Sequence, residues 1–170
     1  GGGSKKTDCV SEWSVGLNAT FTRRGKPSKK LVCKDGQGSC DTDSTAGQCT
    51  FSLAICANAM DPRLPKCAPS SITEYTVLKP RPDAKNSTDA ANAANLLAAI
   101  ELLGANSVSG KHVNVVTFAA PLSANTCTGP IAVTVPLKPN GKQGKKVLRV
   151  RAIRADGKKD TDSLKLLCAP

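Results

Sequence analysis

Aromatic residues are scarce in this chain: one Trp, one Tyr and three Phe in 170 residues. Binding of single-stranded nucleic acid without charge alone needs stacking platforms, and Trp13, Phe21, Phe51, Tyr75 and Phe118 are too few to supply them. No specific nucleic-acid partner is therefore expected. Histidine is limited to His112. No HExxH, GxSxG or glycine-rich phosphate loop occurs, so no triad or metal constellation suggests catalysis and the chain is not expected to be an enzyme. Acids are also few: 13 Asp and Glu stand against 24 Lys and Arg, a formal charge of +11. No apolar run reaches the roughly 18–20 residues of a transmembrane helix. No charged-then-apolar leader stands before Cys9, so an exported form is expected to have lost its leader already.

What the chain does have is cysteine. Cys9, Cys33, Cys40, Cys49, Cys56, Cys67, Cys127 and Cys168 make an even count with irregular spacing. No CxxC pair suggests zinc or a thioredoxin-type redox site. A disulfide framework is the remaining reading, and it requires an oxidising compartment, so a secreted or surface-displayed protein is expected. Short loops favour the pairings Cys40–Cys49 and Cys56–Cys67, with Cys127–Cys168 closing the last strands and Cys9–Cys33 left over. That is one of 105 connectivities. The core must be built from small aliphatic residues, and disulfides at about 2–4 kcal/mol each offset the shortfall in buried area.

Trp13, Val15, Leu17, Ala19 and Phe21 alternate with polar residues or glycine, the period-2 signature of a strand with one apolar face. The strand is placed at residues 10–22. It lies between a glycine-rich start and the basic stretch 23–30, which reads as a solvated linker. Residues 1–30 are therefore expected to form an N-terminal extension, and residues 31–170 a disulfide-rich domain. Further strands are expected near 49–56, 72–78, 113–118, 131–137, 147–153 and 163–168, with Asn140-Gly141 and Asp156-Gly157 as turns. Residues 88–103 carry Leu96, Leu97, Ile100 and Leu103 on one face. Ser87 or Thr88 is the expected N-cap and Gly104 the stop. Roughly eight strands and one crossover helix indicate a mainly β chain, an immunoglobulin-like β-sandwich.

Asp35, Asp41 and Asp43 lie in a glycine-rich loop and form a calcium candidate, although the spacing is not that of an EF-hand. No other cofactor is expected. Asn18 and Asn86 begin N-glycosylation sequons and Asn125 begins the rarer Asn-Thr-Cys variant, so covalently attached glycans are expected on a secreted chain. Ten Lys and Arg fall between Lys138 and Lys165. Leu148, Val150 and Ala152 alternate with Arg149 and Arg151, so Arg149, Arg151 and Arg154 are the candidates for holding an anionic polysaccharide or other polyanion. A solvated, solubilising surface is the plainer reading of the same residues.

The block 40–51 (Cys-Asp-Thr-Asp-Ser-Thr-Ala-Gly-Gln-Cys-Thr-Phe), followed by Cys56 and Asp-Pro-Arg-Leu-Pro-Lys-Cys at 61–67, resembles secreted cysteine-rich proteins of environmental bacteria whose function is uncharacterised. The layout is also similar to subunits of extracellular fibrils that assemble by strand donation. That resemblance implies a homopolymer in which Trp13, Val15, Leu17, Ala19 and Phe21 fill a neighbour's core. The rival expectation is a monomeric secreted adhesion module that keeps this strand in its own domain. A cysteine-rich inhibitor is a third reading, with no reactive-loop feature behind it.

Overall fold

The computed structural model describes residues 13–17, 30–36, 45–57, 71–104, 108–109, 112–123, 126–155, 157 and 159–170. The strands are β1 (Trp13–Leu17), β2 (Lys30–Lys34), β3 (Gln48–Ala57), β4 (Ile72–Lys79), β5 (Val108–Ser109), β6 (Val115–Leu122), β7 (Ile131–Pro136), β8 (Gly144–Arg154) and β9 (Lys159–Ala169), with helix α1 (Ser87–Glu101) between β4 and β5. They form a three-stranded sheet, β1-β3-β7, and a six-stranded sheet, β2-β9-β8-β4-β6-β5. The chain is a mainly β, disulfide-linked sandwich.

Alternation builds the core. Phe51, Leu53, Ile55, Val133 and Val135 from the small sheet are buried with Tyr75, Val77, Val116, Leu148, Val150, Leu164 and Leu166 from the large one. The Tyr75 and Phe118 rings meet edge to face at 6.0 Å, the favoured arrangement for their quadrupoles. Burial pushes the Tyr75 phenol well above its ordinary pKa, because the charged form loses its hydration. β8 and β9 form the long hairpin of the large sheet, running in register from Gly144↔Cys168 to Ile153↔Lys159. Gly157 closes it at φ 87°, and Gly141 turns β7 into β8 at φ 77°, conformations that favour glycine. At Gly144 the reason for glycine is different. A Cβ there would overlap the Pro136 carbonyl oxygen, so the two sheets approach too closely for any side chain.

Asn86, rather than Ser87 or Thr88, caps α1: its Oδ1 accepts the Asp89 N–H at 3.0 Å. Asp89 lies in the first turn, where negative charge meets the positive end of the helix dipole. Its carboxylate also pairs with Lys146 Nζ at 2.8 Å, tying the helix start to β8. The helix ends at the C-cap Leu102. Gly104 does not turn the chain with a positive φ. It makes room for Phe118, whose ring would lie 2.7 Å from an added Cβ.

Two disulfides replace the expected local pairings. Cys49 bonds Cys168 across the sandwich, and Cys56 bonds Cys127. The pairings Cys40–Cys49, Cys56–Cys67 and Cys127–Cys168 are thereby overturned. Loop-closure entropy rises only with the logarithm of loop length, so proximity in sequence is a weak guide. Strand placement decides instead: Cys56 and Cys127 form a β-bridge, and Cys49 and Cys168 are fully buried with Cα atoms 5.6 Å apart. Cys33 is disulfide-bonded as well. Cys9, Cys40 and Cys67 lie outside the described residues.

Candidate assembly edge and basic face

β1 is the outer strand of the small sheet and pairs antiparallel with β3: Trp13↔Ala57, Val15↔Ile55 and Leu17↔Leu53. The apolar residues of the N-terminal strand thus hold register positions opposite Leu53 and Ile55, both fully buried. Ala19 and Phe21 lie outside the described residues.

On its other side β3 is anchored independently of β1. Its first half pairs with β7, from Gln48↔Pro136 to Leu53↔Ile131. Its second half is met by the segment before β7: Thr128 N–H donates to the Ile55 carbonyl at 2.9 Å, and Ile55 N–H donates to Thr128 Oγ1 at 3.0 Å. One disulfide lies near each end, at Cys49 and Cys56. None of these anchors involves β1.

The opposite edge of the sheet is closed by side chains. Asn92 Nδ2 donates to the Thr134 carbonyl at 2.9 Å, and the Thr134 N–H donates back to Asn92 Oδ1 at 2.9 Å. Asn95 Nδ2 donates to the Ala132 carbonyl at 3.0 Å. An unpaired strand edge templates further pairing, and here two helix amides occupy that of β7. Asn92 is 2% exposed. An Asn92→Ala variant is expected to leave the Thr134 amide and carbonyl unsatisfied, at a cost of about 1–3 kcal/mol. Thermal melting should fall by roughly 5 °C, given about 2–4 °C per kcal/mol for a chain this size; an unchanged melting temperature would assign the edge closure no weight.

Arg154 is not on the outer face. It is 3% exposed and stands opposite Ile72. The reason is legible in the alternation itself: Arg154 has the parity of Leu148, Val150 and Ala152, not that of Arg149 and Arg151. Those two are half-buried on the outward side, Arg149 donating from Nε to Ser163 Oγ at 2.8 Å. Lys30, Lys145, Lys159 and Lys165 share this face by register and were not singled out by spacing, because only strand pairing brings them beside the arginines.

Asp35 braces two turns. Its Oδ1 accepts the Gly47 N–H at 3.0 Å, and its own N–H donates to the Ala169 carbonyl at 2.7 Å. Asp41 and Asp43 lie outside the described residues, and no group of three His, Cys, Asp or Glu able to hold a metal is present among the described ones. Asn86 is exposed at the helix start, while Asn18 and Asn125 lie outside the described residues. Among the described residues no helix is long and apolar enough to cross a membrane. The site is therefore an edge and a face on a disulfide-linked sandwich, without a cluster of catalytic side chains in the described part. Comparison with family models, curated proteins and solved structures finds no match to the chain.

Proposed function

We propose that this protein is a structural subunit of an extracellular filament or surface assembly, polymerising by donation of its N-terminal strand to a neighbouring copy. The observation that carries this reading is the anchoring of β3: disulfides, β7 and Thr128 fix it without help from β1. An acceptor strand built this way keeps its shape when the strand beside it is exchanged. Replacing a chain's own β1 by another copy's repeats every backbone pair, so exchange costs little. The twelve positions between Leu17 and Lys30 span about 40 Å when extended, enough to reach a neighbour. A head-to-tail contact of this kind does not close on itself and propagates as a fibre.

Disulfides fit an oxidising exterior. The sequon at Asn86 fits it too, since capping uses Oδ1 and a glycan would be carried by the amide nitrogen. The likeness of residues 33–67 to secreted cysteine-rich bacterial proteins agrees with the same location. The test is Leu17→Asp, which sets a charge opposite buried Leu53. Burying an unpaired carboxylate is strongly disfavoured. The variant is expected to remain in the supernatant on ultracentrifugation at concentrations where the parent sediments as polymer. Equal sedimentation of the two proteins would refute the proposal.

A further inference from the structure

The outward face of the large sheet is rich in Lys and Arg. Residues directly opposite one another on neighbouring strands share a face. Lys165 of β9 stands between Lys30 of β2 and Val147 of β8, and Leu167 stands between Val32 and Lys145. Arg149 is opposite Ser163, and Arg151 is opposite Thr161 and Thr76. Lys30 and Lys165 are both exposed on this face. Among the described residues the acid on this face is Glu74, whose Oε1 accepts the Thr117 hydroxyl at 3.1 Å. The face runs into a cavity of about 500 Å³ that shares Lys145 and Leu167 with it and adds Lys138, Lys146, Gln143 and Leu137 to its lining. Among the described residues of this face, Lys145 and Lys165 are exposed and Val32 is 54% exposed.

From this arrangement we infer that the outward face binds an anionic polysaccharide. Arg149 and Arg151 lie two residues, about 7 Å, apart on β8, and Lys145, Lys159 and Lys165 are exposed on the same face; a polymer of carboxylated or sulfated sugars complements this spread of positive charge. The interleaved Val32, Val147 and Leu167 offer apolar contact to the C–H faces of sugar rings. Nucleic acid fits less well: Phe51, Tyr75 and Phe118, the aromatics with described side chains, are all in the core and offer bases no stacking platform. A lipid bilayer fits less well because the apolar residues, the Val32–Leu167 pair and Val147, make only a small patch beside Lys145 and Lys165. This inference holds for monomer and filament subunit alike.

The experiment titrates the full-length protein with polygalacturonate and with heparin, at 50 and 300 mM NaCl, alongside dextran, duplex DNA and phosphatidylserine vesicles. Tight binding of at least one acidic polysaccharide at low salt is expected, weakening at least tenfold at high salt as charges are screened, with no dextran binding. Lys165→Glu and Lys145→Glu should each weaken it at least fivefold. Lys85→Glu, the same charge change in the turn before α1, should weaken it less than twofold. If Lys165→Glu fails to fold, Lys165→Gln serves, with about half the effect. Equal weakening by all three reversals would mean attraction to net charge alone and would overturn the inference. So would absence of polysaccharide binding, or tighter binding of DNA or vesicles.

Discussion

A chain lacking residues 1–22 is expected to stay monomeric wherever the full-length protein polymerises, and to accept a synthetic peptide of residues 10–22. The truncation removes β1 and touches none of the groups that hold β3: the Cys49–Cys168 and Cys56–Cys127 bonds, the β7 register and the Thr128 contacts all lie beyond it. What remains is a folded sandwich with one open edge and an uncovered row at Leu53 and Ile55. A peptide that binds the folded state stabilises it by mass action, about 2.7 kcal/mol at one hundred times its dissociation constant. Melting should then rise by roughly 5–10 °C. A peptide with Leu17 replaced by Asp should give no rise. Fibres from the truncated chain indistinguishable from those of the parent would show that another surface drives assembly.

The second large effect concerns the bond across the sandwich. Cys49 and Cys168 are separated by 119 positions, and a closed loop of that length restricts the unfolded chain by about 5 kcal/mol on the chain-entropy account. Replacing both residues by Ala is expected to lower the melting temperature by roughly 10–20 °C under non-reducing conditions, measured by calorimetry. The sandwich depends on the bond more than a larger-residue core would, because Val, Leu, Ile and Ala bury less area per residue than aromatics do. The double variant avoids the unpaired thiol that a single replacement leaves to reshuffle. A fall of under about 3 °C would mean that packing at the Gly144–Pro136 approach already holds the sheets together there.

The contrast between the disulfides and the strands shows where local pattern stops being informative. β8 was legible from Leu148, Val150 and Ala152, and its turns from Asn140-Gly141 and Asp156-Gly157, because period and turn chemistry are written within a few residues. α1 was legible from its apolar face, although its cap fell one residue earlier, at Asn86. β2 was hidden: Lys30–Lys34 has two lysines and three apolar residues, too short for a period to show. Only Lys30 falls in the basic stretch 23–30; Leu31–Lys34 opens the disulfide-rich domain without a strand signature, and only its parallel pairing to β9 reveals it. Asn92 and Asn95 were likewise invisible as edge closures, since a polar residue on a helix says nothing of the strand it meets. The pairing of cysteines depends on which strands face one another, so it emerged only with the register. The basic face follows the same rule. Alternation points to Arg149 and Arg151; Arg154, named with them, shares the parity of the buried residues, and its burial removes it from the face.

The central claim is that β1 is exchanged between copies. Electron microscopy of the purified full-length protein, near neutral pH and without reductant, tests it most directly. The account predicts regular fibres with a fixed axial repeat, lost in Leu17→Asp. Uniform single particles at every concentration would mean that β1 stays on its own β3, and would contradict it.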